Sequence, residues 1–191
     1  MTVYEAITKR RTIRKYKQDK ISDEILLKLV NSARLCASAA NIQPLKYMVV
    51  KSDDKCNDVF STLKWAGYFT DGSGCPKDGE KPVSYIIILG DTNIKTSFET
   101  DAGAAITNMM LTAYEEGIGS CWFGSVDRDK LREHLDIPEH LKIVYVLSLG
   151  YQMEESTECP IKDGDVKYFR NQDGSISVPK RTMGEVLVDI I

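Results

Sequence analysis

The segment that most constrains the fold is Val83 to Leu89, V-S-Y-I-I-I-L. A run this apolar and β-branched reads as a strand buried in a core, and a buried strand needs other elements to cover it. Two further stretches read as strands, Lys46 to Val50 and Lys142 to Leu149. Val166 to Val178 reads as two short strands around the Asp173-Gly174 turn, for about five strands in all. Thr2 and Glu5 form a capping-box signature for a helix ending near Lys9, and Thr182 and Glu185 form a second. Ser22 caps a helix whose buried stripe is Ile25, Leu26, Leu29, Val30 and Ala33. Ser52 to Leu63 reads as a helix, Ser97 to Glu116 as the longest one with Gly117 at its C-terminal cap, and Asp127 caps another. Helices and strands alternate irregularly, so an α+β sandwich of helices on a mixed sheet fits better than a doubly wound parallel sheet.

A chain of 191 residues that is 42% hydrophobic supports one sizeable core, and residues 1–191 read as a single domain. The net charge of −3 is interspersed, which gives no support to a nucleic-acid or membrane-surface footprint. Five scattered cysteines with no C-x-x-C pair, and only His134 and His140, point to reduced thiols and no metal site. No apolar run approaches a membrane span, and Met1 to Arg10 lacks the apolar region of a signal peptide, so the expected location is cytoplasmic.

Three stretches carry candidate chemistry. In R-R-T-I-R-K-Y, extended backbone puts Arg10, Thr12 and Arg14 on one side and Arg11 and Ile13 on the other. Guanidinium forks and a hydroxyl suit a phosphate, although a solvated basic patch has the same composition. In C-A-S-A-A-N-I-Q-P, Cys36 to Pro44, small residues permit close approach of a ligand, and Ser38, Asn41 and Gln43 offer donors and acceptors for the edge of a planar ring. Any polar turn offers such groups too. Gly117 to Gly124, G-I-G-S-C-W-F-G, is not a dinucleotide fingerprint, because it follows a helix and opens a strand. Gly67 to Pro82 is the one long irregular stretch, a lid or a mobile loop, and Lys64, Trp65 and Phe69 at its edge are candidates for a substrate pocket. Lys180 and Arg181 precede the last capping box as surface charge or as part of a phosphate site. No catalytic triad or carboxylate pair is recognisable.

Taken together, R-R-T-I-R, S-A-A-N-I-Q-P, D-A-G-A-A-I-T-N-M-M-L-T-A-Y-E-E-G-I-G-S-C-W-F-G and V-P-K-R-T resemble the FMN-dependent nitroreductase family in motif order and spacing over nearly the whole chain. The resemblance implies a three-layer α+β fold, an intertwined homodimer, and tightly bound FMN at the subunit interface. It places Arg10, Arg11, Thr12 and Arg14 in the N-terminal motif, with Arg10 and Thr12 at flavin or ribityl groups and Arg14 at the phosphate. Lys180 and Arg181 complete the phosphate site. Ser38, Asn41 and Gln43 come from the other subunit, and the backbone of Trp122, Phe123 and Gly124 lies near flavin N5. Departures from the family pattern are Thr12 for serine, Ala37 for proline, Ala40 for glycine and Leu45 for tryptophan. The implied activity is ping-pong transfer of reducing equivalents from transiently bound NAD(P)H through FMN to a nitroaromatic or quinone, the redox chemistry residing on the cofactor. The alternatives are an FMN-binding sensor or storage module without efficient turnover, or a specialised reductase such as a dehalogenase or enoate reductase.

Overall fold

The computed structural model describes all 191 residues. Four strands, β1 (Leu45–Val50), β2 (Ser84–Asp91), β3 (Ile118–Phe123) and β4 (Leu141–Tyr151), form a sheet in the order β1-β2-β4-β3. The alternation of a strand sends Ile86 and Ile88 of β2 to one face and Tyr85, Ile87 and Leu89 to the other, and all five are buried. Helices α2 (Asp23–Arg34) and α4 (Glu99–Glu115) cover the first face through Leu26, Leu29, Ala102, Ile106 and Met109. Helices α3 (Asp53–Phe60) and α5 (Arg128–Leu135) cover the second through Cys56, Val59 and Leu131. The result is three layers, with two cores separated by the sheet.

The helix starts follow their sequence signals. Thr2 accepts from the Glu5 amide while Glu5 bonds the Thr2 amide, closing the box that opens α1 (Val3–Lys9). Ser22 and Asp127 cap α2 and α5 through their side chains, and the Thr182–Glu185 box opens α6 (Met183–Val186). Gly117, at φ +73°, ends α4 in a conformation that glycine adopts without a Cβ clash.

The structure corrects three details of the expected fold. The sheet expected to be mixed is antiparallel across its four strands. Parallel pairing occurs at the single bridge Thr12–Ser120 beside β3 and in a second, smaller sheet. That sheet joins β5 (Ser156–Pro160), β7 (Ile176–Lys180) and β6 (Phe169–Arg170) in the order β5-β7-β6. It brings the strand total to seven against the about five expected, and β5 was not among those expected. Helix α3 ends at Phe60 rather than Leu63: the Thr62 hydroxyl donates back to Val59 O at 2.7 Å, and Leu63 bridges Val126. Gly67 to Pro82 remains irregular, but its end is stapled to the N-terminal segment, where Tyr16 N donates to Glu80 O and Lys15 pairs with the Glu80 carboxylate at 3.0 Å.

The N-terminal segment crosses the ends of β3 and β4 at two glycines. A Cβ on Gly119 would lie 2.8 Å from Ile13 Cβ, and one on Gly150 would lie 2.7 Å from Tyr16 Cβ. Both contacts are shorter than van der Waals packing allows, so the absent side chains are what let this segment lie flat on the sheet.

Candidate cofactor site

The segment after α1 is held as an extended strand from both sides. Ile13 N donates to Ser120 O at 3.0 Å, and the buried Tyr16 hydroxyl bonds Ile13 O and Ser148 Oγ. Below it, the Glu154 carboxylate accepts from the amides of Arg14 and Lys15 at 2.6 and 3.2 Å. Strand alternation then sorts the side chains as the sequence requires, with Arg11 and Ile13 buried and Arg10, Thr12 and Arg14 half-buried.

The two sides differ in charge balance. Arg11 pairs with Glu158 of β5 and donates to Arg10 O at 2.6 Å, so its charge is matched within the chain. It faces away from Arg10, Thr12 and Arg14, as strand alternation expects, although the family resemblance placed all four in one cofactor-binding motif. Arg10 has no carboxylate partner, and burial first and the Arg11 charge second lower its pKa, the mark of a cation without a counter-charge. Arg14 also lacks a carboxylate and rests its guanidinium 4.5 Å from the centre of the Tyr168 ring. The Thr12 hydroxyl makes no hydrogen bond. Two uncompensated guanidiniums and a free hydroxyl on one side of one strand fit a phosphorylated, hydroxylated ligand such as FMN.

Lys180 ends β7 and is exposed, while Arg181 pairs with Glu185 at 3.5 Å. The small sheet, which Lys180 ends and Arg181 follows, touches Arg11 through Glu158, and Tyr168, beside its strand β6, touches Arg14. No hydrogen bond joins the C-terminal pair to Arg10 or Arg14.

The second predicted stretch forms a one-turn 3-10 segment, Ala39–Asn41. Ser38 Oγ accepts from Gln43 N at 3.0 Å, and Gln43 Nε2 donates to Asn41 O at 3.2 Å, so the three predicted polar residues hold one another. Ala40, Asn41 and Gln43 have φ of 51°, 56° and 53°. Left-handed backbone disfavours alanine, and Ala40→Gly is expected to raise stability by about 0.5–1 kcal/mol, read as a higher midpoint in urea. An unchanged or lower midpoint would show that the strain at Ala40 is not real.

The loop is anchored by a residue that sequence reasoning did not single out. Asp101, 3% exposed in the first turn of α4, accepts Ala39 N at 3.2 Å with one carboxylate oxygen and pairs with Lys95 Nζ at 3.2 Å with the other. With Ser38, Gln43, Tyr47 and Cys36 it lines a cavity of about 210 Å³.

At the end of β3, Trp122 is 37% exposed and meets Tyr145 edge-on at 5.0 Å, whereas Phe123 is buried against Trp65 at 4.7 Å. Lys64 N donates to Ser125 O, so Lys64 and Trp65 both lie against the Trp122–Gly124 strand end. Phe69 lies apart from them, beside Tyr168 and under Arg170 at 5.4 Å, on the side of Arg14.

These groups do not converge within one chain. The Ser38–Gln43 loop is tied to the first turn of α4, while Arg11 and Ile13 share a hollow with Tyr114 in its last turn. Seventeen helical residues separate the two ends by about 25 Å. The fold thus defines an α+β domain with the Arg10–Arg14 segment at one end of a central helix and the Ser38–Gln43 loop at the other.

Comparison with known proteins agrees. The model of the Nitroreductase family matches residues 7–66 and 82–151, and the chain belongs to that family. A protein of Archaeoglobus fulgidus, assigned as a candidate NADH dehydrogenase/NAD(P)H nitroreductase, is 34% identical over 154 residues, covering 76% of this chain and 83% of its own. Among solved structures, an FMN-dependent nitroreductase of Clostridium difficile R20291 superposes with a TM-score of 0.68 at 26% identity, covering 87% of this chain and 97% of its own. The fold is also that of a nitroreductase-type protein of Desulfovibrio desulfuricans crystallised with FMN, at a TM-score of 0.73 and 22% identity, covering 100% of this chain and 98% of its own.

Proposed function

We propose that the protein is an FMN-dependent oxidoreductase that works as a homodimer, each flavin held between Arg10, Thr12, Arg14, Lys180 and Arg181 of one chain and Ser38, Asn41 and Gln43 of the other. The observation that carries this reading is the pair of half-buried, unpaired guanidiniums, Arg10 and Arg14, flanking a free Thr12 hydroxyl. The names of the relatives support both the cofactor and NAD(P)H as reductant.

When bound, FMN supplies the redox chemistry, accepting reducing equivalents from NAD(P)H and passing them to an electron-poor acceptor such as a nitroaromatic or quinone in separate half-reactions. The chain supplies binding and orientation. Arg14 and the C-terminal cations hold the phosphate; Arg10 and Thr12 meet the ribityl and ring; the Trp122–Gly124 strand end presents backbone to the ring edge. Lys64 and Trp65 are proposed to line the acceptor side, whereas Phe69, on the side of Arg14, is not placed with them.

Exposed apolar side chains support the dimer. Val3, Tyr4 and Ile7 on α1 and Val186, Leu187, Val188, Ile190 and Ile191 at the C-terminus lie open to solvent in the single chain. Sedimentation equilibrium across a dilution series tests the shared site: flavin absorbance is expected to travel with the dimer and to be lost as it dissociates. A stable flavin-loaded monomer would contradict it.

A further inference from the structure

At the start of α5, Arg128 has a guanidinium whose partners are all backbone carbonyls. It donates through Nε to Ile143 O at 3.0 Å, through Nη2 to Gly124 O and Val144 O at 3.1 Å each, and through Nη1 to Val126 O at 3.4 Å. These carbonyls sit where the sheet gives out. The β3–β4 ladder ends with Phe123 opposite Val146, and beyond that pair the fork of Arg128 ties Gly124 and Val126 to Ile143 and Val144 in place of backbone pairing.

This leaves an asymmetric peptide. The oxygen of the Gly124–Ser125 peptide faces a full positive charge, while its N–H, that of Ser125, makes no hydrogen bond within the chain; the Gly124 N–H is equally free. A carbonyl bound to a cation polarises its own amide, and an amide without an internal acceptor is a fixed donor for whatever ligand sits beside it.

We propose that Arg128 is a positioning residue that sets the redox poise of the cofactor: it turns the Gly124–Ser125 carbonyl into the protein and leaves the Gly124 and Ser125 amides as preorganised donors toward the ring edge. The inference rests on the proposed FMN site, with the Trp122–Gly124 strand end against the flavin. Donors fixed in this way stabilise negative charge on the reduced ring without reorganising when it forms. Arginine is required because a single planar fork reaches carbonyls on two strands, whereas a lysine ammonium is a point charge.

The test uses the FMN-loaded protein with Arg128→Ala and Arg128→Lys, and reads FMN affinity, sulfite affinity and the flavin midpoint potential. Sulfite addition places negative charge on the ring without turnover, so its affinity reports the proposed stabilisation directly. Arg128→Ala is expected to keep FMN affinity within about threefold, weaken sulfite binding about tenfold, and move the potential to more negative values. Arg128→Lys, which keeps a charge and loses the fork, is expected to weaken sulfite binding about threefold. Unchanged sulfite affinity and potential in either folded variant would reduce Arg128 to a structural staple and overturn the inference. If Arg128→Ala does not fold, the lysine variant decides by the same readings. Failure of the parent protein to bind FMN would instead be a failure of the proposed site.

Discussion

Arg14→Ala is expected to weaken FMN binding by tenfold or more while leaving riboflavin binding nearly unchanged. Arg14 has no carboxylate partner, and its guanidinium lies on the Tyr168 ring, which attracts it without neutralising it. A phosphate reached by that guanidinium gains a charge-assisted hydrogen bond contributing about 1.5–3 kcal/mol, and each 1.4 kcal/mol is about tenfold in affinity. Riboflavin lacks the phosphate, so its affinity separates loss of the charge from damage to the site. The substitution also removes the Tyr168 contact, about 0.5–1 kcal/mol at an exposed site, too little to unfold the chain. Fluorescence titration measures both affinities. Equal loss for FMN and riboflavin would place Arg14 away from the phosphate, and no loss for either would remove it from the site.

Asp101→Ala is expected to lower stability by about 2 kcal/mol and to abolish retention of FMN through purification. The carboxylate is almost wholly buried, and its removal frees the Ala39 amide and leaves Lys95 without its partner. Truncating one member of a buried pair costs about 3–5 kcal/mol, and the cost is lower at Asp101 because Lys95 keeps some access to water. In a chain of this size, about 2 kcal/mol corresponds to a fall in Tm of about 4–8 °C. The functional loss follows from position, since Asp101 fixes the loop that carries Ser38, Asn41 and Gln43. Calorimetry and a visible spectrum of the purified variant read the two effects. A variant with full flavin content would show that the loop holds its geometry without the tether.

The parts of this fold that were legible in the sequence are those with a local cause. Both capping boxes form because each is closed by residues three apart, and the sorting of Arg10, Thr12 and Arg14 from Arg11 and Ile13 follows from the two-residue period of a strand. Features with distant causes were hidden. Strand β5, S-T-E-C-P, is polar and ends in proline, and only its parallel pairing with β7 makes it a strand. Glu158 within it reads as a surface charge until Arg11 is brought against it.

Asp101 and Arg128 were hidden for another reason. A carboxylate in the first turn of a helix already has an explanation in the helix dipole, and an arginine at a helix start already looks like solvated charge. Neither position reveals that Asp101 grips a loop 62 residues earlier or that Arg128 seals the end of β3. The sheet order could not be read either, because strand pairing across long connections leaves no local mark. For the same reason, the 25 Å between the arginine strand and the Ser38–Gln43 loop became visible only once both ends of α4 were placed.

The most direct test of the account is a visible absorption spectrum of the purified protein, before and after FMN is added, followed anaerobically by NADH or NADPH and then by a nitroaromatic or quinone. Flavin bands are expected to bleach with the reduced nicotinamide and to return with the acceptor. Bands that do not bleach would leave a flavin-binding module without turnover, and a protein that stays colourless after incubation with FMN would contradict the cofactor site itself.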